Sequence, residues 1–274
     1  MKLHNIHTPC WQKFMLLVAF AICMTIIVSI IGAVVVIFTN NMLLLQALSS
    51  IFIFGGSAYL YYLFFERQQF LQQTFCSNLN WMWLFVGILL WIASAPVVTA
   101  IGQDSAYGKL VLSMITDTSI IGLIELIVVM ALLPAILEEW VFRGILQRLF
   151  IQWTKKIWLG IIISSVIFSL IHFDLPNFFV RFILGILLGL LYQYSRNIWT
   201  NITYHFTNNT IAAITLWLYV RGDIDNTNDS FAWYLVVLSA IIVIAFIVYN
   251  EIKNKNSLKN NYMESIAIDS EIGQ

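Results

Sequence analysis

Charged side chains are scarce in this sequence. Only 10% of the 274 residues are Asp, Glu, Lys or Arg, whereas 60% are hydrophobic and the mean hydropathy is +0.85. A soluble domain of this size cannot hide that much apolar surface, so the soluble class is excluded. Proline is also rare, with 4 residues, and this composition excludes disordered, collagen-like and low-complexity proteins.

Neither sign of charge is in excess, and cysteine is nearly absent. The 14 basic and 14 acidic residues cancel, so there is no positive field to meet a phosphate backbone and we expect no nucleic-acid partner. The 3 cysteines, Cys10, Cys23 and Cys76, form no CxxC pair. Neither a disulfide framework nor a zinc site built from thiolates is therefore indicated.

What the sequence does contain is a series of long apolar runs. A bilayer core about 30 Å thick needs about 20 helical residues to cross it, and backbone polar groups in lipid must be satisfied within each helix. The sequence therefore predicts an all-α polytopic membrane bundle of about eight transmembrane helices, with residues 1–274 forming a single integral membrane domain. The predicted spans are 14–38, 42–65, 81–101, 120–147, 157–173, 178–194, 198–220 and 231–249.

Basic residues are distributed unevenly between the two sides of these spans. With the N-terminus in the cytoplasm, ten Lys and Arg residues lie on the cytoplasmic side, and only Lys109 and Arg221 lie outside. This bias predicts that both termini are cytoplasmic. The Asn-rich and Lys-rich end, 250–274, is typical of a flexible cytoplasmic tail. The ten residues are Lys2, Lys13, Arg67, Arg148, Lys155, Lys156, Arg196, Lys253, Lys255 and Lys259.

Five charged residues interrupt the predicted spans: Glu125, Glu138, Glu139, Arg143 and Arg181. A charge at mid-bilayer costs roughly 3 kcal/mol or more, so each one needs a functional or structural reason. Glu139 and Arg143 stand at i and i+4, the spacing of a helical ion pair, whereas Glu138 projects about 100° away. One acid is then paired and the other is free. The alternative is a helix end that leaves the membrane, where such side chains reach water.

Two histidines and an amide lie in neighbouring apolar spans. Glu138 and His172 are equally far in sequence from the turn at residue 155, so we expect both side chains at similar depth. His205 is followed at i+4 by Asn209, which places both on one helix face. A single histidine in an apolar helix is more often a packed core residue than a catalyst. The convergence of three polar elements argues against that interpretation here.

The chemistry of these groups suits hydrolysis. A carboxylate beside an imidazole in a poorly hydrated cavity can hold a water molecule and remove its proton, while a second imidazole and an amide can donate to the oxygen that becomes negative. The same atoms could instead hold zinc, with Glu138, His172 and His205 as candidate ligands, although there is no HExxH pair on one helix. No serine or cysteine elbow motif is present. Metal dependence is left open, and no cofactor is certain.

These residues resemble the motifs of the CAAX-processing and bacteriocin-immunity family of intramembrane proteases. The matches, in the family's order, are EExxxR at Glu138, Glu139 and Arg143, FxxxH at Phe168 and His172, and HxxxN at His205 and Asn209. Gly185 and Gly189 resemble the glycine-bearing helix that the family has between the second and third motifs, and their GxxxG spacing predicts close helix packing.

The resemblance covers about residues 123–214 and implies that residues 119–220 form the catalytic helices. It implies that Glu138 and His172 activate a water molecule. It also implies that His205 and Asn209 stabilise the oxyanion, with Glu139, Arg143 and Phe168 supporting the site.

The leading interpretation is an intramembrane endopeptidase of a bacterial cell membrane, which hydrolyses a peptide bond in membrane-associated substrates. The first alternative is a non-catalytic bacteriocin-immunity or scaffold protein with the same fold, although four costly polar groups in lipid favour the enzyme. A transporter is disfavoured because no two-fold internal similarity is visible. The partners implied are the lipid bilayer and a membrane-associated peptide or protein. Substrate identity and oligomeric state are left open, and Glu125 and Arg181 are candidates for internal ion pairs.

Overall fold

The computed structural model of the protein describes residues 8–65, 80–224 and 233–272, with side chains described as far as residue 255. Regular structure within these ranges is entirely helical. Lys2, Arg67 and Cys76 lie outside the described residues. Apart from a short 3-10 helix at Leu175–Asn177, the helices of these ranges are α1 (Cys10–Thr39), α2 (Met42–Phe65), α3 (Trp81–Ile101), α4 (Ala106–Met114), α5 (Ile120–Thr154), α6 (Ile157–Leu170), α7 (Phe178–Ser195), α8 (Ile198–Arg221) and α9 (Trp233–Ile272).

Six helical segments of the described ranges are long and apolar enough to cross a bilayer. They are α1, α2, α3, α5, α7 with the turn before it (Leu175–Ser195), and the first part of α9 (Trp233–Lys255). Helix α6 is apolar but has only 14 residues, and the 24 residues of α8 include five Thr, three Asn and one His. The prediction of a polytopic helical membrane bundle is confirmed. The count of eight spans is not established by these criteria, and the orientation stays a prediction.

Short polar caps and left-handed residues determine where these helices begin and end. The Asn80 side chain accepts a hydrogen bond from the Trp83 amide at the start of α3, as expected of an N-cap. Two residues separate α5 from α6, and two separate α7 from α8, so the members of each pair pack as neighbours. Left-handed residues follow α1, α5, α7 and α8 at Asn40, Lys155, Arg196 and Gly222.

Helix α5, which carries the acidic pair, is not a uniform α-helix. Turns of π-helix at Val128–Leu132 and Trp140–Gln147 flank the α-helical stretch Leu133–Glu139. A π turn changes the backbone hydrogen-bond pattern, and such turns are frequent at functional sites. Both acids therefore end the α-helical stretch, and Arg143 lies in the π turn that follows them.

Helices α6 and α7 approach each other closely at the glycine pair. A Cβ atom at Gly185 would lie 2.9 Å from Ser165 Cβ, and one at Gly189 would lie 2.8 Å from Ile161 Cγ2. Both distances are too short for two carbon atoms, so a larger residue at either position would push α6 away. The close packing predicted from the GxxxG spacing is therefore confirmed.

Helix α9 continues through the segment that the sequence predicts as a flexible tail. It runs without a break from Trp233 to Ile272. This stretch contains no proline or glycine, the residues that end helices most effectively, and that composition accounts for its continuity. The segment is therefore helical as far as residue 272, and its flexibility and its position on the cytoplasmic side stay predictions.

Candidate active site

A cavity of about 1550 Å³ is lined by residues of α1, α2 and α4–α8. Its wall includes all four residues predicted to be catalytic: Glu138 from α5, His172 from the loop after α6, and His205 and Asn209 from α8. Phe168 of α6 also lines it, whereas Glu139 and Arg143 lie behind this wall and are buried. The fold thus brings the three motifs together around one space.

Glu139 is the centre of a buried polar network. Its Oε1 accepts a hydrogen bond from Arg143 Nη1 at 3.0 Å, which confirms the predicted ion pair. The same oxygen lies 2.9 Å from His205 Nδ1, and Oε2 accepts a 3.4 Å bond from the Asn201 amide. Because a carboxylate only accepts, His205 donates through Nδ1. Glu139 therefore links the imidazole of α8 to α5 and also neutralises Arg143.

Arg143 and Gln147 extend this network along α5 to the backbone of α7. Arg143 Nη2 donates to the Gly185 carbonyl at 3.1 Å, and Gln147 Nε2 donates to the Gly189 carbonyl at 3.0 Å. Successive turns of α5 thus contact successive turns of α7. A Cβ atom at Gly189 would lie 3.0 Å from Gln147 Oε1, so a side chain there would crowd the donor. The two glycines therefore serve the site as well as the helix packing.

Phe168 packs between the buried network and the cavity. The guanidinium carbon of Arg143 lies 5.1 Å from its ring centroid, within range of a cation–π contact. The rings of His172 and His205 lie edge-on to it, with centroid distances of 5.1 and 6.1 Å. One aromatic ring therefore lies against the basic residues of all three motifs and helps to hold their relative positions.

Glu138 differs from its neighbour because its carboxylate lies on the cavity wall. The residue is 7% exposed, and its Oε2 is buried without a hydrogen-bond partner among the described residues. His205 Nε2 lies 3.9 Å from that oxygen. A buried carboxylate oxygen without a donor costs about 1–3 kcal/mol unless a water or ligand satisfies it. The prediction that Glu138 projects away from the ion pair is confirmed, and this oxygen is available to a bound molecule.

His172 lies where α6 gives way to a turn. Its Nδ1 is 2.7 Å from the carbonyl oxygen of Phe168, which only accepts, so Nδ1 carries the proton and donates. The neutral ring then has its lone pair on Nε2. The next residue, Phe173, has a φ of 50°, in the left-handed region, and this conformation turns the chain out of the helix. The imidazole thus borders the cavity with Nε2 free to accept a proton.

Asn209 is held beside a π turn of α5. Its Nδ2 donates to the Met130 carbonyl at 3.3 Å, and its Oδ1 accepts from Asn208 Nδ2 at 3.2 Å. Met130 lies in the π-helical stretch Val128–Leu132, where the usual backbone pattern is interrupted. An amide nitrogen carries two hydrogens, so one is left for a molecule in the cavity.

The buried charges around Glu138 balance only with one additional proton. Glu138 and Glu139 contribute two negative charges and Arg143 one positive charge, and each residue is at most 7% exposed. An uncompensated buried charge is costly, so the group favours one proton on Glu138 or on His205, whose facing atoms are 3.9 Å apart. Either residue can hold this proton while the group keeps no net charge, as a general acid–base site requires.

The candidate zinc ligands do not form a metal site in this arrangement. Within the described residues, no three His, Cys, Asp or Glu side chains come together in a way that could hold a metal ion. His205 has one ring nitrogen on Glu139, and His172 has one on the Phe168 carbonyl. Zinc binding through Glu138 and both imidazoles would require these side chains to converge further, so we derive no step through a metal.

Two polar residues of the network are absent from the residues predicted by sequence. Asn201 is fully buried, and its Nδ2 donates to the Leu188 carbonyl at 2.6 Å. Gln147 is buried to the same extent. Each lies four residues from a motif residue on the same helix face, Asn201 before His205 and Gln147 after Arg143. That spacing is the signal by which both could be found.

Arg181 and Glu125, which match no motif, have different surroundings. Arg181 Nη1 donates to Asp174 Oδ2 at 2.7 Å, so its expected internal pair is confirmed. Burial acts to raise the pKa of Asp174, but hydrogen bonds from Arg181 and Asn177 outweigh burial and hold that pKa below its usual range. Glu125 is exposed on α5, and no ion pair among the described residues includes it.

Comparisons with known proteins agree with the motifs. Residues 120–211 match the family described as type II CAAX prenyl endopeptidase Rce1-like. The "Putative membrane peptidase YdiL" of Bacillus subtilis (strain 168) is 28% identical over 144 residues, which cover 50% of this chain and 57% of that protein. The "Uncharacterized protein YpbD" of the same strain is 32% identical over 102 residues, which cover 35% of this chain and 49% of that protein. No solved structure matches the chain.

The matched segment coincides with the part of the fold that builds the site. The chain spans about half the length of the curated relatives it matches. The family match begins at the first residue of α5 and ends within α8, so α1–α4 and α9 lie outside it. The resemblance read from the motifs is therefore confirmed for residues 120–211, which match the CAAX prenyl endopeptidase family.

Proposed function

We propose that the protein is an intramembrane endopeptidase that hydrolyses a peptide bond in membrane-associated substrates. The observation that carries this proposal is the Glu138 carboxylate, which is buried, has an oxygen without a hydrogen-bond partner among the described residues, and shares its cavity with two histidines. The family match supports the reaction class. A structural acid in lipid would instead be fully partnered, as Glu139 is.

Glu138 and His172 activate the attacking water in this proposal. A water molecule held between the Glu138 carboxylate and His172 Nε2 transfers a proton to Glu138, and its oxygen forms a bond to the substrate's carbonyl carbon. His172 keeps the water oriented through Nε2, because its Nδ1–H is occupied by the Phe168 carbonyl. A positioned general base of this kind contributes about 100- to 10,000-fold to the rate.

His205 and Asn209 stabilise the charge that develops on the carbonyl oxygen. As the carbon–oxygen double bond becomes single, Asn209 Nδ2 donates to that oxygen. His205 Nε2 also donates to it when the ring carries both protons. Glu139 favours the doubly protonated ring, because its carboxylate oxygen is 2.9 Å from His205 Nδ1. Groups fixed before the reaction act without reorganisation, which makes such donors effective.

Glu138 returns the proton in the last step. The carbon–nitrogen bond of the tetrahedral intermediate breaks, the departing nitrogen takes the proton from Glu138, and a carboxylic acid and an amine leave as products. Glu138 is then ionised again, as it was before the reaction. Because the proton stays within the cavity throughout, the buried group never carries a large net charge.

The cavity suits a peptide attached to an apolar segment. Residues of α1 and α2 such as Leu17, Ala21 and Ile53 line it on one side, and Asp104 and Lys109 line it near the start of α4. A membrane-associated substrate can place its apolar part against α1 and α2 and present a peptide bond to Glu138. Burial of that apolar part in the protein leaves no hydrocarbon in contact with water.

Cleavage of a membrane-tethered peptide library by the purified protein in proteoliposomes tests the proposal. We expect products with the wild type and none with Glu138→Gln. Glu125→Gln is the matched control, since it makes the same change at an exposed residue of the same helix and should leave turnover unchanged. Parallel reactions with a chelator, and with zinc added back, determine whether a metal takes part. A folded wild type that yields no products would instead support a non-catalytic immunity or scaffold role.

A further inference from the structure

Helix α4, which lies outside the segment that matches the family, supplies part of the cavity wall. Tyr107, in its first turn, lines the same cavity as Glu138 and His172 and is half-buried. The helix is capped just before this residue, where the Ser105 side chain accepts a hydrogen bond from the Gly108 amide at 3.0 Å. A phenol from outside the matched segment thus borders the space that holds the reacting groups.

Direct hydrogen bonds fix the start of α4 to the loop that carries His172. The Gln103 N–H donates to Asn177 Oδ1 at 2.8 Å, and Asn177 Nδ2 donates to the Gln103 carbonyl at 2.8 Å. The same Asn177 nitrogen also donates to Asp174 Oδ2 at 3.1 Å. The position of Tyr107 relative to His172 is therefore fixed by contacts between the two segments.

Tyr107 also packs against Arg181 at this side of the cavity. The guanidinium carbon of Arg181 lies 5.2 Å from the centroid of the Tyr107 ring, a cation–π distance. The charge of Arg181 is already paired with Asp174 at 2.7 Å. An anionic ligand therefore gains little from this arginine, and the group that the wall offers here is the neutral phenol hydroxyl.

The Tyr107 hydroxyl is available to a ligand. It has no hydrogen-bond partner in the part of the chain that the structure describes. Burial raises the pKa of Tyr107 above its usual range, and the negative charge of Glu138 acts in the same direction. The phenol therefore keeps its proton and can donate. A protonated donor that borders a cavity and lacks a protein acceptor is suited to an oxygen atom of the substrate.

We infer that Tyr107 binds the substrate by donating a hydrogen bond from its hydroxyl to a backbone carbonyl oxygen of the peptide, beside the bond that is cleaved. Every peptide unit of the substrate has a backbone carbonyl oxygen, which is a neutral hydrogen-bond acceptor. The reacting carbonyl already has His205 and Asn209 as donors in the proposed mechanism, whereas Tyr107 lies against Arg181, so its acceptor is a neighbouring carbonyl. This inference rests on the proposed function.

Tyr107→Phe isolates the hydroxyl, because phenylalanine keeps the ring that packs against Arg181. With a peptide identified in the library, we expect KM to rise about 5- to 10-fold and kcat to stay within about twofold, as for one neutral hydrogen bond made equally in the ground and transition states. Thermal unfolding should match the wild type. Tyr59→Phe, at a 54% exposed position of α2, is the control and should change neither constant.

A substrate series identifies the acceptor. Replacing one amide of the peptide by an ester weakens that carbonyl as an acceptor, and the replacement is made in turn at each position around the cleaved bond. We expect one of these esters to raise KM for the wild type about fivefold more than it raises KM for Tyr107→Phe. Each ester also removes an N–H group, but this loss affects both proteins alike. The difference between the two increases in KM therefore measures the hydrogen bond from the Tyr107 hydroxyl.

The outcomes separate this inference from the proposed function. Turnover that Glu138→Gln abolishes, together with an unchanged KM for Tyr107→Phe, would overturn the inference and leave the proposed function standing. A loss confined to kcat would also overturn it, because the hydroxyl would then act on the reacting oxygen. A wild type without turnover would overturn the proposed function and the inference with it.

Discussion

The two acids of the EExxxR motif are neighbours in the chain but belong to different regions of the molecule. Glu139 lies in the buried network between α5, α7 and α8, where Arg143, His205 and Asn201 occupy its oxygens. Glu138 lies on the cavity wall, and one of its oxygens has no donor among the described residues. In lipid, protein groups must replace water as partners. An acid that is fully partnered therefore holds helices together, and one that lacks a partner is able to act on a ligand.

The network and the cavity wall share a helix, and that arrangement has a mechanical consequence. Arg143 and Gln147 fix α5 to the carbonyls of α7, which prevents rotation of α5 about its own axis. The orientation of Glu138 is thus determined by residues on a different face of the helix. Changes on the two sides should have different effects, on turnover for the wall and on stability for the network.

Glu138→Gln should have the largest effect on turnover. Glutamine keeps the shape of the side chain but cannot take a proton from water, so we expect kcat to fall about a thousandfold or more. The temperature of unfolding in detergent should change little, because Oε2 gives up no protein hydrogen bond. If the variant instead unfolds at a much lower temperature than the wild type, Glu138 belongs to the buried network and does not differ from Glu139 in this way.

Glu139→Gln, the same change one residue later, should act mainly on stability. It leaves Arg143 buried without its carboxylate, which costs about 3–5 kcal/mol of the free energy of unfolding. Adding Arg143→Met should recover much of that loss, because no unpaired charge is then left. Denaturant unfolding of the two single variants and the double variant measures this difference. Equal stability of Glu138→Gln and Glu139→Gln would contradict the assignment.

Asn209→Ala tests whether the Asn209 amide stabilises the developing oxyanion or only packs against its neighbours. If Asn209 donates to charge that develops during the reaction, kcat should fall about a hundredfold while KM changes little. Gln46→Ala is the control, since this amide of α2 also lines the cavity but has no role in the proposed mechanism. We expect it to lower kcat less than about threefold. A loss seen only in KM for Asn209→Ala would remove the oxyanion role.

Local rules predicted the part of the site that lies on single helices. The i, i+4 spacing of Glu139 and Arg143 and the 100° separation of Glu138 follow from helix geometry alone, and both agree with the structure. Hydropathy likewise predicted a helical membrane bundle. Hydropathy did not determine the number of spans. Helix α6 is apolar but short and α8 is long but polar, so neither meets both the length and the hydropathy expected of a span.

Contacts between helices could not be predicted from the sequence. Glu139 and His205 are separated by 66 residues, and Arg143 is 42 residues from the Gly185 carbonyl that it contacts. A backbone carbonyl has no signature in the sequence, and the π turns of α5 alter which side chains face α7 and α8. Tyr107 lies on a short helix without a motif, so only the fold shows that it borders the cavity. The catalytic roles of the predicted residues stay predictions.

The smallest expected effect on stability is that of Asp174, the paired acid at the rim of the cavity in the loop between α6 and α7. Its pKa in the folded protein lies below the usual value of 3.8, so the stability that it contributes is present above that value and is lost as pH falls through the lower folded value. The Arg181 side chain is 15% exposed and that of Asp174 is 2% exposed, so water screens the pair only through the arginine and we expect it to contribute about 1 kcal/mol. Between about pH 6 and pH 3, the wild type should therefore lose up to that much more unfolding free energy than Asp174→Asn, which cannot titrate. Denaturant unfolding across this range measures the difference, and parallel profiles would mean that the pair adds no stability. We then expect a small loss of unfolding free energy when the Asp174–Arg181 pair is broken and a large loss when Glu139→Gln breaks the pair with Arg143. That difference would show that the cost of breaking an ion pair depends on how deeply the unpaired charge is buried.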